Sequence, residues 1–375
     1  MNTEKQQDCS RLRYHGTVQH VAVLGATGMV GRRLVSLLID HPHFRLTHVV
    51  GSGANAGGSY RAVWEEKESD LRRHYGEFWK EYRPPEAIDS LHISSFDELL
   101  DSDCPLIFSS VPSRAGEFEE RLIRDGRLVF SNSPYRRFDS DVALVVPEVN
   151  GNKILNSRLI KNPNCVTSGL VLALAPLGEQ YGLQEVVVTT YQSLSGRGDG
   201  KYELDLVLGN VLPLHNSSEN TEEYIRKEVK SILGCSFPLS VTCNRTWMQE
   251  GHFVEVRIKT RTDIEDSDEV VEVLSSFNPL ACLNLYSSPQ VPIVVSKENG
   301  RPRPRQDCNC GEGMSIVVGN ITTDDEVFDL RLTLVVNNLI RGAAGGALLN
   351  AELWEHRNES LPAVQDRIIT DKCSA

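Results

Sequence analysis

The most constraining feature of this chain is a short apolar run followed at once by a glycine turn and a helical repeat. Residues Gln19 to Leu24 read as a buried strand, Gly25-Ala26-Thr27-Gly28-Met29-Val30-Gly31 as a tight turn, and Val30, Leu34, Leu37 and Leu38 recur at helical spacing. Glycines there let a backbone approach a pyrophosphate, and the N-terminus of the following helix stabilises its charge. Gly25, Thr27, Gly28, Met29, Val30 and Gly31 are therefore candidate dinucleotide contacts, with a plain strand-to-helix turn as the competing reading. Further apolar runs at 47–50, 106–108, 128–130 and 143–146 suggest a parallel sheet, so the first half reads as a doubly wound α/β unit.

After Asn150 the pattern changes. The runs at 186–191, 241–247, 253–259 and 328–336 are longer, β-branched and partly alternating, as in a largely antiparallel sheet with one covered face. A second, α+β unit begins near Lys161. The segment from Leu339 to His356 is small at its start and helical in pattern, and is expected to pack back on the first unit. Residues 216–223 read as a loop leading into a helix, and residues 1–17 as a disordered lead-in without an apolar signal core.

Composition narrows the function classes. At 375 residues, 40% of them apolar, the chain can bury a large core; its net charge of −12 opposes binding to nucleic acid or an anionic membrane. No apolar run approaches the roughly 18 residues of a membrane span. Nine scattered cysteines fit neither a disulfide framework nor a zinc site, which points to a reducing, cytoplasmic compartment and no metal. Cys308 and Cys310 read as plain loop thiols.

One cysteine stands apart. Lys161-Asn162-Pro163-Asn164-Cys165 precedes Leu170, Leu172, Leu174 and Leu177, which places Cys165 at a helix N-terminus, where the dipole favours the reactive thiolate. A buried structural thiol is the bland alternative. Alternation over 252–258 puts His252 on the face of Val254, Val256 and Ile258, as a general base or a satisfied core group. Arg245 shares a face with Val241 and Cys243, so its charge needs an anionic partner: a substrate carboxylate or a structural ion pair.

Gly25 to Gly31, Asn162 to Cys165, Gln192-Ser193-Leu194-Ser195-Gly196, Cys243-Asn244-Arg245 with Gly251-His252, and Asn338 through Gly345 together resemble the aspartate-semialdehyde dehydrogenase family, nearest its fungal and archaeal branch. The resemblance implies a Rossmann-type NAD(P)-binding domain (18–162 with 338–375) and an α+β catalytic and dimerisation domain (163–337) with a mostly antiparallel sheet. It implies that Cys165 attacks the aldehyde, His252 takes the proton, and the resulting thioester is cleaved by inorganic phosphate. It also implies that Gln192 orients the nucleophile. Arg245, Ser195 and Gly196 would line the substrate, and Asn132 and Arg137 the phosphate. Ser52, Ser109, Asn338 and Gly342 would sit beside the cofactor, taken as NADP with NAD as the alternative, in a homodimer or homotetramer.

The departures from the pattern bear on the substrate. Thr221 and Tyr224 stand where the family carries a Glu-x-x-Lys pair for the substrate amine and the phosphate, with Glu222, Glu223 or Arg226 as substitutes after a register shift. Thr246-Trp247-Met248 replaces Val-Pro-Val, Arg197 replaces a small residue, and Ala54 replaces the arginine of the NADP loop. The expected activity is the aspartate enzyme's. The alternatives are a diverged paralogue acting on another semialdehyde or acyl phosphate, and a catalytically weak cofactor-binding subunit.

Overall fold

The structure, a computed structural model, describes residues 18–215, 220–323 and 326–359. The expected lead at 1–17 and part of the expected loop at 216–223 lie outside the described residues. The first sheet holds β1 (Gln19–Leu24), β2 (Phe44–Val50), β3 (Ile93–Ser94), β4 (Leu106–Ser109), β5 (Leu128–Ser131), β6 (Ala143–Leu144) and β7 (Leu159–Lys161), in the order 3-2-1-4-5-7-6. All of its pairings are parallel. Strand order reverses between β1 and β4, and a crevice at the C-terminal ends of such strands is where α/β sheets bind ligands.

The second sheet holds β8 (Leu183–Gln192), β9 (Val211–Pro213), β10 (Leu239–Thr246), β11 (His252–Thr260), β12 (Ile293–Val295), β13 (Ile316–Thr322) and β14 (Leu330–Val336), in the order 12-13-14-11-8-10-9. It is mostly antiparallel, with parallel pairs β12–β13 and β8–β10. Strand β11 alternates buried and half-buried residues along its whole length, as its sequence requires of a sheet with one covered face.

Helices α1 (Met29–Leu38), α2 (Tyr60–Tyr75), α3 (Phe96–Asp101), α4 (Glu117–Arg124) and the short α5 (Pro147–Asn150) surround the first sheet. The second half adds α6 (Cys165–Tyr181), the short α7 (Leu204–Val207), α8 (Thr221–Leu233), α9 (Ser267–Ser276) and the short α10 (Pro304–Asp307). Apolar on nearly every side, α6 is the buried layer between α8, α9 and strands β11 and β14. The chain then returns: one turn of π-helix at Ile340–Ala344 leads into α11 (Gly345–Glu359), which packs on β5 and α1 as the apolar pattern of 339–356 implies. That turn places Gly342 beside the start of α6.

Candidate active site

Cys165 opens α6. Asn164 caps the helix, its Oδ1 accepting from the Val166 N–H at 2.9 Å, and the Asn164 N–H donates to Glu228 Oε2 at 2.8 Å. Asn162 Nδ2 donates to Asn132 Oδ1 (2.9 Å) and to the Ala343 carbonyl (2.7 Å), tying the approach to Cys165 to the first sheet and to the π-turn. His252, fully buried at the first position of β11, brings Nε2 to 3.1 Å from the Cys165 sulfur. Two residues far apart in sequence thus form the contact that a nucleophile and its base require.

Two glycines make room for this pair. A Cβ on Gly342 would lie 2.5 Å from the Cys165 Cβ, and one on Gly196 would lie 2.6 Å from Arg245 Nη1 and 2.9 Å from His252 Cε1. No other residue fits at either place without moving Cys165, or Arg245 and His252.

Burial opposes ionisation of both members of the pair. Burial pushes the Cys165 thiol up to about 11, against the pull of the Arg245 charge. Burial, and then Arg245, hold the His252 imidazole well below its ordinary range. The sequence reading expected the helix N-terminus to favour the thiolate. Against that pull stands the protein packed around the half-buried Cys165, whose desolvation of the sulfur raises the thiol, while the Val166 backbone N–H at the helix N-terminus lowers it.

Arg245 is 1% exposed, and two of its donors are committed, Nε to the Tyr202 hydroxyl (2.9 Å) and Nη1 to the Ser193 carbonyl (2.8 Å). Where the sequence called for an anion, these two partners are neutral oxygens. Gln192, on β8 beside Arg245 in register, is buried and turns its Nε2 to Thr190 Oγ1 at 3.1 Å. Asn338 links the remaining groups. Its Oδ1 accepts from the Gly251 N–H (3.0 Å) and from Ser193 Oγ (3.0 Å), while its Nδ2 donates to Ser195 Oγ (2.9 Å).

A second corner lies where β5 and α8 approach α6. Arg137 donates from Nη1 to Glu228 Oε1 (2.9 Å) and from Nη2 to the Asn132 carbonyl (2.7 Å). Its Nε and the Asn132 Nδ2 are buried donors without a protein partner, as an anion-binding corner would leave them. Glu228 also accepts from Thr167 Oγ1, and burial raises its carboxyl despite the Arg137 charge. Tyr224 lies alongside, stacked on Phe138 with ring centres 5.5 Å apart, and 5.9 Å from the Arg137 guanidinium. Thr221, at the other departure, is buried at the start of α8.

The glycine turn has the form that a dinucleotide demands. Gly25 adopts φ +79°, and a Cβ on Gly31 would lie 2.2 Å from the Gly25 carbonyl. Among the nearby residues expected to contact the cofactor, Ser109 is buried with its Oγ unpartnered, while Ser52 is exposed beyond β2. These residues would hold a nicotinamide dinucleotide, whose chemistry there is to accept or give a hydride. A carboxylate lies across the same turn: Asp199 Oδ2 accepts from the Met29 N–H (3.1 Å) and Oδ1 from Arg32 Nη2 (3.2 Å).

Sequence reasoning overlooked Asp199, Tyr202, Glu228 and Lys161 as parts of the site. Lys161 is fully buried, donating to Glu119 Oε2 (2.5 Å) and Ser131 Oγ (2.8 Å). Glu228 was readable, since it lies on the buried face of α8 with Ile225, Val229 and Ile232, and a carboxylate on an apolar stripe needs partners. The partners of Lys161, Asp199 and Tyr202 are distant in sequence and leave no local mark.

With this geometry in view, comparison with known proteins is consistent along the chain. Residues 20–157 match the family model "Semialdehyde dehydrogenase, NAD binding domain", and residues 174–341 match "Semialdehyde dehydrogenase, dimerisation domain". An aspartate-semialdehyde dehydrogenase of Methanothermobacter thermautotrophicus is 33% identical over 89% of this chain and 98% of its own length. A malonyl CoA reductase (NADP) of Metallosphaera sedula is 32% identical over 88% and 95%. The crystal structure of aspartate semialdehyde dehydrogenase with NADP from Candida albicans superposes with a TM-score of 0.77 at 27% identity, covering 91% of this chain and 99% of that one. An oxidoreductase acting on aldehydes, the chain belongs to the semialdehyde dehydrogenase family.

Proposed function

We propose that the protein is an NADP-dependent aspartate-semialdehyde dehydrogenase that interconverts L-aspartate 4-semialdehyde plus phosphate and 4-phospho-L-aspartate in amino-acid biosynthesis. The observation that carries this is the Cys165–His252 contact at 3.1 Å beside the buried Arg245, cleared by Gly196 and Gly342. Cys165 adds to the aldehyde carbon, His252 takes the thiol proton, and Arg245 pairs with the substrate carboxylate. After oxidation to the thioester, phosphate held by Asn132 and Arg137 attacks the acyl carbon and releases Cys165. Gln192 orients the reacting carbonyl, with Ser195 and Gly196 lining the substrate. Gly25 to Gly31, Ser52, Ser109, Asn338 and Gly342 face the nucleotide.

On this reading residues 18–162 with 338–375 form the nucleotide domain and 163–337 the catalytic one. Two copies pair through the second sheet, whose uncovered face presents the half-buried Val187, Tyr191 and Phe253, in a homodimer or a tetramer of two such pairs. The free thiols of the chain suit a reducing cytoplasm.

A second reading has its own support. Thr221 and Tyr224 remove the acid and the cation expected for a substrate amine and for phosphate, and a malonyl CoA reductase is among the relatives. A semialdehyde without an amine, with a thiol carrier as acyl acceptor, would need neither group.

Nicotinamide reduction followed by absorbance, with aspartate 4-semialdehyde and phosphate and with NADP and NAD in parallel, tests the first reading against a Cys165→Ala control. Cys165-dependent turnover that needs phosphate is expected. Turnover of malonate semialdehyde with coenzyme A, and none with aspartate semialdehyde, would replace the first reading with the second.

A further inference from the structure

The base of this site meets an unusual pair of partners on its far side. His252 Nδ1 lies 3.1 Å from the Ser193 backbone nitrogen and also 3.1 Å from the Ser193 hydroxyl. A backbone N–H can only donate, so by itself it would hold Nδ1 bare and put the ring proton on Nε2. A ring in that tautomer points a proton at the Cys165 sulfur and has no lone pair with which to take one. The opposite tautomer, and the imidazolium, both need an acceptor for Nδ1–H.

Ser193 Oγ is that acceptor, and the network fixes it as one. The Gly251 N–H, again only a donor, sets Asn338 Oδ1 as an acceptor at 3.0 Å. Ser193 Oγ gives its proton to the same Oδ1 at 3.0 Å, which turns its lone pairs toward Nδ1 and toward Ser195 Oγ at 3.2 Å. Both Ser193 and Asn338 are buried, at 0% and 3% exposure, so water does not replace the bond. The titratable and charged groups that face the ring from the surrounding elements are Cys165 from α6 and Arg245 from β10, while the Glu228 charge on α8 acts on the sulfur from a distance.

We propose that the Ser193 hydroxyl is a positioning residue that selects the tautomer of His252, making Nε2 available as the base that takes the Cys165 proton. It rests on the reading of Cys165 and His252 as nucleophile and base, and not on the identity of the substrate. In the resting state the ring proton sits on Nδ1 and is given to the Ser193 hydroxyl, so Nε2 is the bare nitrogen that takes the proton leaving sulfur, and the imidazolium so formed keeps the same Nδ1–H bond. One residue thereby serves both protonation states of the ring without moving the backbone.

The test needs no substrate. Cys165 is alkylated with iodoacetamide across pH 6 to 10 and the modified peptide is quantified by mass spectrometry, in the wild type, Ser193→Ala and His252→Ala. Ser193→Ala is expected to slow alkylation near pH 7 about tenfold and move its midpoint up about one unit, toward the His252→Ala profile. With an active substrate in hand, kcat should fall roughly 10- to 100-fold while KM stays within about threefold. Ser193→Cys, of similar size but a weaker acceptor, should fall between, and it carries the measurement if Ser193→Ala does not fold. A wild-type alkylation profile in a folded Ser193 variant would overturn the proposal, as would identical profiles for wild type and His252→Ala. Unaltered alkylation differences with no aspartate-semialdehyde turnover would instead retire only the substrate assignment.

Discussion

Cys165 and His252 stand 3.1 Å apart, sulfur to Nε2, yet the protein around them favours the neutral form of each. On the proposed mechanism charge is then created during the reaction, where the Arg245 guanidinium compensates the thiolate. With the thiol pushed up to about 11, the thiolate fraction grows about tenfold for each unit of pH below that value. The expected result is a kcat/KM that climbs across pH 6 to 9 without a plateau. A profile flat above pH 7 would show that the resting pair is already thiolate and imidazolium. The same shift fixes a stability trend. An unfolded thiol ionises near its ordinary value while the folded one stays protonated, so folded stability declines as pH rises from about 9 toward 11.

Gly196→Ala should damage catalysis far more than folding. The added Cβ would sit 2.6 Å from Arg245 Nη1 and 2.9 Å from His252 Cε1, and the side chains can yield only by leaving their places. A displacement of about 1 Å at reacting groups costs on the order of 100-fold in rate. Steady-state kinetics beside a melting curve would check this. An unchanged kcat with a lowered melting temperature would mean that the glycine serves only the turn.

Much of this was legible. The period-two burial of β11 and the strand–glycine–helix of residues 19–38 survive translation into structure because each is a local rule repeated over many residues. What escaped was short or remote. Strands Ile93–Ser94 and Leu159–Lys161 have two and three residues, too few to show a period. Lys161 is in the nucleophile's own motif, but its counter-ion Glu119 lies 42 residues away, on α4. The burial that opposes the Cys165 thiolate escaped for a related reason: a dipole can be read from a cap and a helix pattern, whereas burial depends on everything packed around it.

Asp199→Asn should tighten nucleotide binding. The Asp199 carboxylate accepts from the Met29 N–H at the N-terminus of α1, the position a pyrophosphate oxygen would claim, and Arg32 holds its other oxygen. A carboxylate at a helix N-terminus gains about 0.3–1 kcal/mol or somewhat more, which an incoming phosphate must displace. Removing its charge is expected to lower the Kd for NADP about three- to tenfold, measured by fluorescence titration. A weaker Kd would show that Asp199 arranges the turn and leaves the phosphate position open.

Glu148→Ala should unfold the return segment first. Arg341 makes two bonds to Glu148, at 2.7 and 2.5 Å, and both side chains are almost wholly buried, so the variant strands a guanidinium without its counter-ion. Breaking a buried pair from one side costs about 3–5 kcal/mol. Because Arg341 precedes Gly342 in the π-turn that abuts Cys165, kcat should drop along with the melting temperature. Glu148→Gln, which keeps one acceptor oxygen for the guanidinium, should recover part of both. A melting temperature unmoved by Glu148→Ala would show that the pair adds nothing net.

On the proposed function, Tyr224 is the position that tests the acyl acceptor. Its ring lies 5.5 Å from Phe138 and 5.9 Å from the Arg137 guanidinium, whose Nε, with the Asn132 Nδ2, is a buried donor lacking a protein partner. If phosphate binds in that corner, Arg137 meets it while Glu228 already claims part of the same guanidinium charge, so the corner is short of one cation. Tyr224→Lys would supply it from the first turn of α8, on the side the ring now fills. The expected outcome is a KM for phosphate lowered about 3- to 10-fold, with kcat and the KM for the semialdehyde little changed. A KM for phosphate that does not move would mean that this corner does not bind the acceptor, and coenzyme A would be the next acceptor to try in its place. Lower activity with coenzyme A in the same variant would locate the thiol carrier's path along the Tyr224 and Phe138 rings.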